Sequence, residues 1–418
     1  MYRVPSEIMH TILQDVLVAE TSDLITLRFV SKTLNAIATP RAFHTIIMHE
    51  SLWSSEAVCF LQTCDESVTS AVRRVVFEGA VEEEEGEEEE EECLPELQQQ
   101  QVARRNALKT AFSGLHKFPH LERLRVHFDP SYEIYADQSS DPSYLLQLQF
   151  DILAALSAHP LPSLFSLSLN NMVAVPNKIY ALENFHMVFR LLDYLRISIR
   201  SDVLCATAQE NGDDIEDRVM DFWDRSIPYI IRNAPAISSL TLCDDGNQSE
   251  YVFDPVRSPL KAIILPRLTS LSLYDFSFES DALPKTDLVG FILSQKATLT
   301  HLVLDGCFIL LDTFNSNYFP RFWHTVLRTF MHDLCVLQHF TLNSSVTSSS
   351  PSTPTSNGSA FRRDPRFQYK HTMHNHVSLE YHVYDSGEPI DGEEGDLKAL
   401  EALLATVEKA RHSNLRAV

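Results

Sequence analysis

One spacing recurs along the chain and constrains its fold more than any other feature: apolar, two residues, apolar, one residue, apolar. It occurs at Leu121/Leu124/Val126, Leu164/Leu167/Leu169, Leu192/Leu195/Ile197 and Ile237/Leu240/Leu242. It returns at Leu268/Leu271/Leu273, Leu299/Leu302/Leu304 and Leu337/Phe340/Leu342, with a weaker copy at Val72/Val75/Phe77. The last two positions of each copy alternate, as a strand with one buried face requires. Pro119, Pro162, Pro235 and Pro266 precede four of the copies; proline ends a preceding helix and lets an extended segment begin. Apolar residues at helical spacing fill the intervals Tyr144–Ser157, Ile179–Leu192, Ile215–Asn233, Leu288–Gln295 and Phe319–Leu334. The predicted unit is strand, loop, helix, strand. It makes an α/β chain of parallel strands with helices covering one face.

The 418 residues carry 34 basic and 57 acidic side chains, a formal charge of −23. That balance argues against a nucleic-acid backbone or an anionic membrane surface as the main partner. Only 11 glycines are present, and none stands in the spacing of a nucleotide-binding loop or a nucleophile elbow. Seven cysteines form no C-x-x-C pair, the pattern of reduced thiols in the cytoplasm or nucleus. Glu7, His10, Gln14 and Asp15 interrupt the opening residues, so a secretory apolar core is not expected. No run of about 18 apolar residues is present to span a membrane. Asn247, Asn343 and Asn357 then open accidental glycosylation triplets. Three polar stretches interrupt the pattern: an acidic insert over 82–101, expected to be disordered, a Ser/Thr/Pro loop over 344–366 and an acidic break over 385–396. A final helix is predicted over Leu397–Ala410.

The first fifty residues are different. Ile8, Met9, Ile12, Leu13, Val16 and Leu17 make one broad apolar face at the 3.6 period. Pro5 suits a first helical turn. Thr21 or Ser22 suits the cap of a second helix with Leu24, Leu27 and Phe29. Ser31 suits the cap of a third, with Leu34, Ile37 and Ala38, which Pro40 is expected to stop. Three short helices bury little by themselves, so a partner is expected. The apolar pattern alone does not separate a docking module from helices that cap the following domain.

The order VPSEIMHTILQDV…SDLITLRFVSKTLNAIATPRAFHTI resembles the F-box, a three-helix motif that docks onto a Skp-type adaptor of cullin-based ubiquitin ligases. The matching positions are Val4, Pro5, Glu7, Ile8, Ile12, Asp23, Leu24, Val30, Ser31 and Lys32. Val4 replaces the usual leucine, and Leu34 stands where tryptophan is common. The tail TPRAFHTI, ending in a strand, is most like fungal F-box proteins. The resemblance implies that Val4, Pro5, Ile8, Ile12, Leu24, Leu27, Val30, Ser31 and Lys32 meet the adaptor. The repeats resemble the degenerate leucine-rich repeats that accompany an F-box in mushroom-type fungi. Their start points lie 43, 28, 45, 31, 31 and 38 residues apart, more than the 20–29 of a regular unit. Leu299, Leu302, Leu304, Cys307 and Ile309 follow the long form of that repeat, whose Cys307 position bonds loop backbone inside the coil. An ordinary α/β sheet also supplies some such strands. The implied organisation is an F-box over 1–49 and an irregular leucine-rich-repeat-like solenoid over 50–418.

No catalytic constellation stands out, and no enzyme activity, cofactor or metal is expected. His371, His374 and His376 lack a cysteine or carboxylate at ligand spacing, and His301, Asp305 and Cys307 carry no triad signature. Phe319, Phe322, Trp323, Val326, Leu327 and Phe330 read as a core helix face. The expected function is substrate recognition within a Skp-adaptor, cullin ubiquitin ligase. Its alternative is a non-degradative scaffold with a vestigial F-box. A target protein would meet the outward strand residues: Arg123, Arg125, Phe165, Ser168, Arg196, Ser198, Ser239, Thr241, Ser270, Ser272, His301 and Val303. Arg123, Arg125, Arg196 and His301 are the leading candidates.

Overall fold

The structure is a computed structural model that describes residues 25–26, 28–79, 94–129, 144–200, 221–244, 260, 263–278, 288–312, 322–344, 366–375, 380–384 and 394–415. The chain is α/β and divides into two compact units, Met1–Tyr132 with Asp141–Asn170, and Glu133–Ser140 with Asn171–Val418. The calls on the opening helix, on the glutamate run 82–92 and on residues 345–365 lie outside the described residues.

In the first unit the elements are α1 (Lys32–Ala42), β1 (Thr45–His49), α2 (Leu52–Leu61), α3 (Glu66–Thr69), β2 (Arg74–Glu78), α4 (Leu94–Ser113), β3 (Arg123–His127), α5 (Tyr144–Leu156) and β4 (Ser166–Val173). The four strands are parallel, in the order β1–β2–β3–β4. Register aligns Ile46, Val75, Leu124 and Leu167 in one rung and Met48, Phe77, Val126 and Leu169 in the next. All eight are buried, together with Leu108 and Phe112 of α4 and Leu148 and Ile152 of α5. The run Gln98–Gln101, expected to be disordered, is helical within α4. Glutamine is a good helix former, and the next turns are anchored by buried Leu108 and Phe112. Arg105 also pairs with Asp151 of α5 at 2.5 Å. Pro40 does not stop α1, which runs on to Ala42. Proline there removes one N–H, and Phe43 still donates to the Thr39 carbonyl at 3.1 Å.

The second unit holds α6 (Glu183–Phe189), β5 (Tyr194–Arg200), α7 (Ile227–Arg232), β6 (Ser239–Asp244), β7 (Ser270–Tyr274), β8 (Ser277–Phe278), α8 (Leu288–Ser294), β9 (His301–Asp305), β10 (Phe308–Asp312), α9 (Trp323–Asp333), β11 (His339–Asn343), β12 (Gln368–Asn375), β13 (Glu380–Tyr384) and α10 (Glu394–Leu415). The interval 179–192 is split between a 3₁₀ turn, Lys178–Ala181, and α6; a π-helical turn, Phe222–Ser226, precedes α7. Five parallel strands lie in the order β5–β6–β7–β9–β11. Leu195, Leu240, Leu271, Leu302 and Phe340 share one rung; Ile197, Leu242, Leu273, Leu304 and Leu342 share the next. Every one of these ten is buried. A smaller sheet, β13–β12–β10–β8, follows from the ends of these strands. Asp275 (φ 61°) bends the chain between β7 and β8, and Gly306 (φ 63°) does so between β9 and β10. The second turn uses the residue type that adopts this conformation at no steric cost.

The prolines have a more specific role than ending helices. The amides of Leu121, Leu164, Ile237 and Leu268 donate to the carbonyls of Phe118, Leu161, Ala234 and Leu265 at 3.1–3.2 Å. Pro119, Pro162, Pro235 and Pro266 therefore hold the second position of a β-turn, where their fixed φ is preformed. The carbonyl before each strand then accepts two amides from the next copy: Ser238 from Thr269 and Ser270, Thr269 from Thr300 and His301, Thr300 from Gln338 and His339. The Thr269 and Thr300 hydroxyls add bonds of 3.1 and 3.0 Å to the preceding carbonyl of the same series.

The acidic break ends earlier than expected. Glu394–Asp396 already belong to α10, and Asp396 is only 1% exposed. Phe322, the N-cap of α9, offers no side-chain acceptor. Asp396 accepts from the His324 amide at 2.7 Å, and the Tyr369 hydroxyl accepts from the Trp323 amide at 3.0 Å. Tyr369 in turn donates to Asp396. Two orphan amides of α9 are thus satisfied by residues 46 and 72 positions away in sequence. Replacing Asp396 with Ala removes the acceptor of the His324 amide and of the Tyr369 O–H, while the Tyr369 oxygen keeps the Trp323 amide. A loss of about 2–4 kcal/mol of unfolding free energy is expected, read by chemical denaturation followed through tryptophan fluorescence. A change under half a kcal/mol would contradict this role.

Candidate interaction faces

Of the expected adaptor residues, Val4, Pro5, Ile8, Ile12, Leu24 and Leu27 lie outside the described residues. Val30 is 66% exposed and Phe29 is 84% exposed. They sit in a turn that Arg28 holds against α1: its Nε donates to Asn35 Oδ1 at 3.1 Å and Thr39 Oγ1 at 2.9 Å. The Arg28 guanidinium also lies 4.5 Å from the Phe43 ring centre. Ser31 caps α1, its Oγ accepting from the Leu34 amide at 3.2 Å, and Lys32 opens the helix in solvent. Leu34 is half-buried and packs with Ile37 and Phe43 against Ala42. Two large apolar side chains are thus presented to solvent by a turn that is itself pinned. Sequence reasoning missed Trp53 and Phe60 of α2, exposed by 78% and 68%. They are seven residues apart and so share one helix face.

The outward strand positions form ladders, which the structure gives for each unit separately. In the first unit, Arg74 of β2 stands opposite Arg123 of β3, and Arg123 opposite Ser166 of β4; Arg125 stands opposite Val76 and Ser168. Arg123 and Arg125 are exposed, and the Arg123 guanidinium lies 5.7 Å from the centre of the Phe165 ring. In the second unit, Arg196, Thr241, Ser272, Val303 and Thr341 share a rung. The Arg196 guanidinium reaches across β6 to the Tyr274 ring at 5.6 Å. Beneath it Thr241 and Cys243 are 6% and 5% exposed. Ser168, Thr241 and Ser198, expected to be available to a target, are buried, because short side chains sink between neighbouring strands about 4.8 Å apart. His301 and His339 are opposite each other, their rings stacked at 4.5 Å. Burial and then the neighbouring His339 hold His301 below its ordinary value.

Little of this is reactive chemistry. Cys307 is fully buried and its Sγ donates to the Leu273 and Asp305 carbonyls at 3.5 and 3.7 Å. Burial pushes its thiol up to about 12, so it is no nucleophile at neutral pH. His301 points to the solvent side of its strand, away from that thiol. His371 and His374 lie in β12, and His376 falls outside the described residues. Among the described residues no group of three potential metal ligands converges. A depression of about 340 Å³ is lined by Thr325, Arg328, Thr329, His332 and Asp333, all from one helix. No described helix is long and apolar enough to cross a membrane.

Glu50, just after β1, is a carboxyl only 6% exposed. Burial pushes it from 4.5 up to about 7; Tyr144 opposes the rise, Asp129 adds to it and Arg104 opposes it. The native chain therefore keeps a proton that the unfolded chain releases, so the stability that Glu50 contributes is full at low pH and is lost as pH climbs from about 4.5 to about 7. The full window is worth roughly 3 kcal/mol. Denaturation midpoints measured at pH 5 and pH 8 should diverge for the native chain and draw together for Glu50→Gln. Equal pH sensitivity in both would show that another group is responsible.

In comparisons with known proteins, no protein-family model and no curated protein matches the chain.

Proposed function

We propose that the chain is the recognition subunit of a Skp-adaptor, cullin-based ubiquitin ligase of the cytoplasm or nucleus, with an F-box at its start and a degenerate leucine-rich-repeat solenoid behind it. The observation that carries this reading is the Phe29–Lys32 turn. An apolar pair stands exposed at the place where the F-box resemblance puts an adaptor contact, and a capped helix and Arg28 fix its direction. Large apolar side chains held out in solvent mark a surface that another polypeptide covers. The series of parallel strands supports the second half of the reading, since it displays ladders of polar and cationic side chains on rigid backbone. The chain makes and breaks no bonds itself. It works by tethering: a target held on the strand face meets the ligase machinery at a raised effective concentration.

A non-degradative scaffold is the second reading, and Leu34 favours it. That residue turns into the packing of α1 where an aromatic would reach an adaptor. Cullin recovered together with the adaptor separates the two, because a scaffold with a vestigial F-box brings down neither.

Val30→Glu and Pro5→Glu place a charge in the expected contact without touching the described core. Each is expected to abolish co-purification with a co-expressed Skp-type adaptor while leaving the circular dichroism spectrum unchanged. Adaptor recovery at the level of the native chain, in both variants, would overturn the ligase reading.

A further inference from the structure

The outward face of β2 and β3 carries Arg74, Arg123 and Arg125. Arg74 and Arg123 are directly opposite in register, so two like charges stand about 4.8 Å apart at their Cα atoms. Like charges placed so are destabilising unless an anion lies between or above them. Among the described residues none of the three has a carboxylate partner. Arg123 has only the Phe165 ring beneath it. Of the nearby acidic side chains, Glu122 is engaged with Arg73 at 3.3 Å, and Glu78, further along the same face, lies 3.6 Å from His49. The chain as a whole has 57 acidic side chains against 34 basic ones. In so acidic a protein, three neighbouring guanidinium groups without a carboxylate partner make a local cationic patch that suits an anionic ligand.

We propose that this face takes an extended acidic segment of the target protein, with carboxylates on alternate residues. This rests on the reading that the strand face receives a target. Charge complementarity selects the occupant, and strand geometry selects its spacing. Arg123 and Arg125 project from one side of β3 about 6.6 Å apart, the same distance that separates alternate side chains of an extended peptide. Each guanidinium presents a planar fork that fits a carboxylate. Arg74 beside Arg123 widens the site at one end, and the Phe165 ring restrains the Arg123 guanidinium. Exposed ion pairs are individually weak and salt-sensitive, so binding depends on two or three made together.

The test is fluorescence anisotropy on the full chain with a labelled twelve-residue peptide of alternating Glu and Ser. Controls are a Lys/Ser peptide and the same Glu/Ser register with phosphoserine in place of Glu. The Glu/Ser peptide is expected to bind, the Lys/Ser peptide not to bind. The Arg123→Glu/Arg125→Glu double variant should lose at least tenfold in affinity with an unchanged thermal melt, and Arg125→Lys should lose less. Raising the salt from 50 to 300 mM should weaken binding severalfold. Equal binding of the Glu/Ser and Lys/Ser peptides, or no effect of the double variant, overturns the proposal. Phosphopeptide binding more than tenfold tighter overturns the choice of carboxylate. Adaptor recovery with peptide failure condemns this site alone; peptide binding without adaptor recovery condemns the ligase reading and leaves the site.

Discussion

Each copy of the repeat must bury its alternate apolar residues in the same rung as its neighbours. A parallel strand cannot be joined to its neighbour by a tight turn, so every step needs a crossover, here largely a helix. That helix supplies the apolar cover for the rung it crosses. The leucines at the strand centres and the helix residues Phe112, Ile152, Phe189, Ile230, Phe291 and Phe330 are parts of one requirement, and all are buried. Slipping any strand by one residue would turn its leucines outward and its polar residues into the core. The β-turn at Pro119, Pro162, Pro235 and Pro266 fixes the start of the strand and thereby its register. The paired amides accepted by Ser238, Thr269 and Thr300 tie that start to the copy before it.

With one face committed to the core, the other is free to vary, and its composition becomes a statement about what it meets. Here it carries arginine, serine, threonine, histidine and tyrosine on a fixed backbone, and among the described residues no group of three potential metal ligands converges. Such a face suits the recognition of another polypeptide, whose affinity comes from many modest contacts. The same division between a fixed core and a displayed surface holds at the Phe29–Lys32 turn. Arg28 secures the turn from within, and the apolar pair faces out.

The strands were legible because their period is strict. All seven full copies and the weaker one at Val72 are strands, and the helix over 323–333 has the buried face its aromatic spacing implied. Local chemistry also read correctly at Ser31, whose cap requires nothing beyond its own helix. What escaped were features set by distant partners. Gln98–Gln101 read as low complexity, yet the turns that follow it are anchored on α5. Asp396 read as part of a solvated acidic break, yet it completes a helix end 72 residues earlier. Alternation identified Ser168, Ser198 and Thr241 as outward without showing that short side chains between close strands are shielded. In the second sheet β8 spans only two residues, Ser277–Phe278, too few to show a period, and β12, although eight residues long, is mostly polar. The residues proposed to face an adaptor rest on a motif, and only Val30, Ser31 and Lys32 of them are within the described structure.

The central claim is that the opening residues are completed by a second polypeptide. Hydrogen–deuterium exchange of the full chain, alone and with a purified Skp-type adaptor, addresses it directly. The account predicts added protection confined to residues 4–34, with the strand amides of β5–β11 unchanged. Identical exchange across residues 4–34 in the two samples, at adaptor concentrations that saturate a known F-box protein, would contradict it.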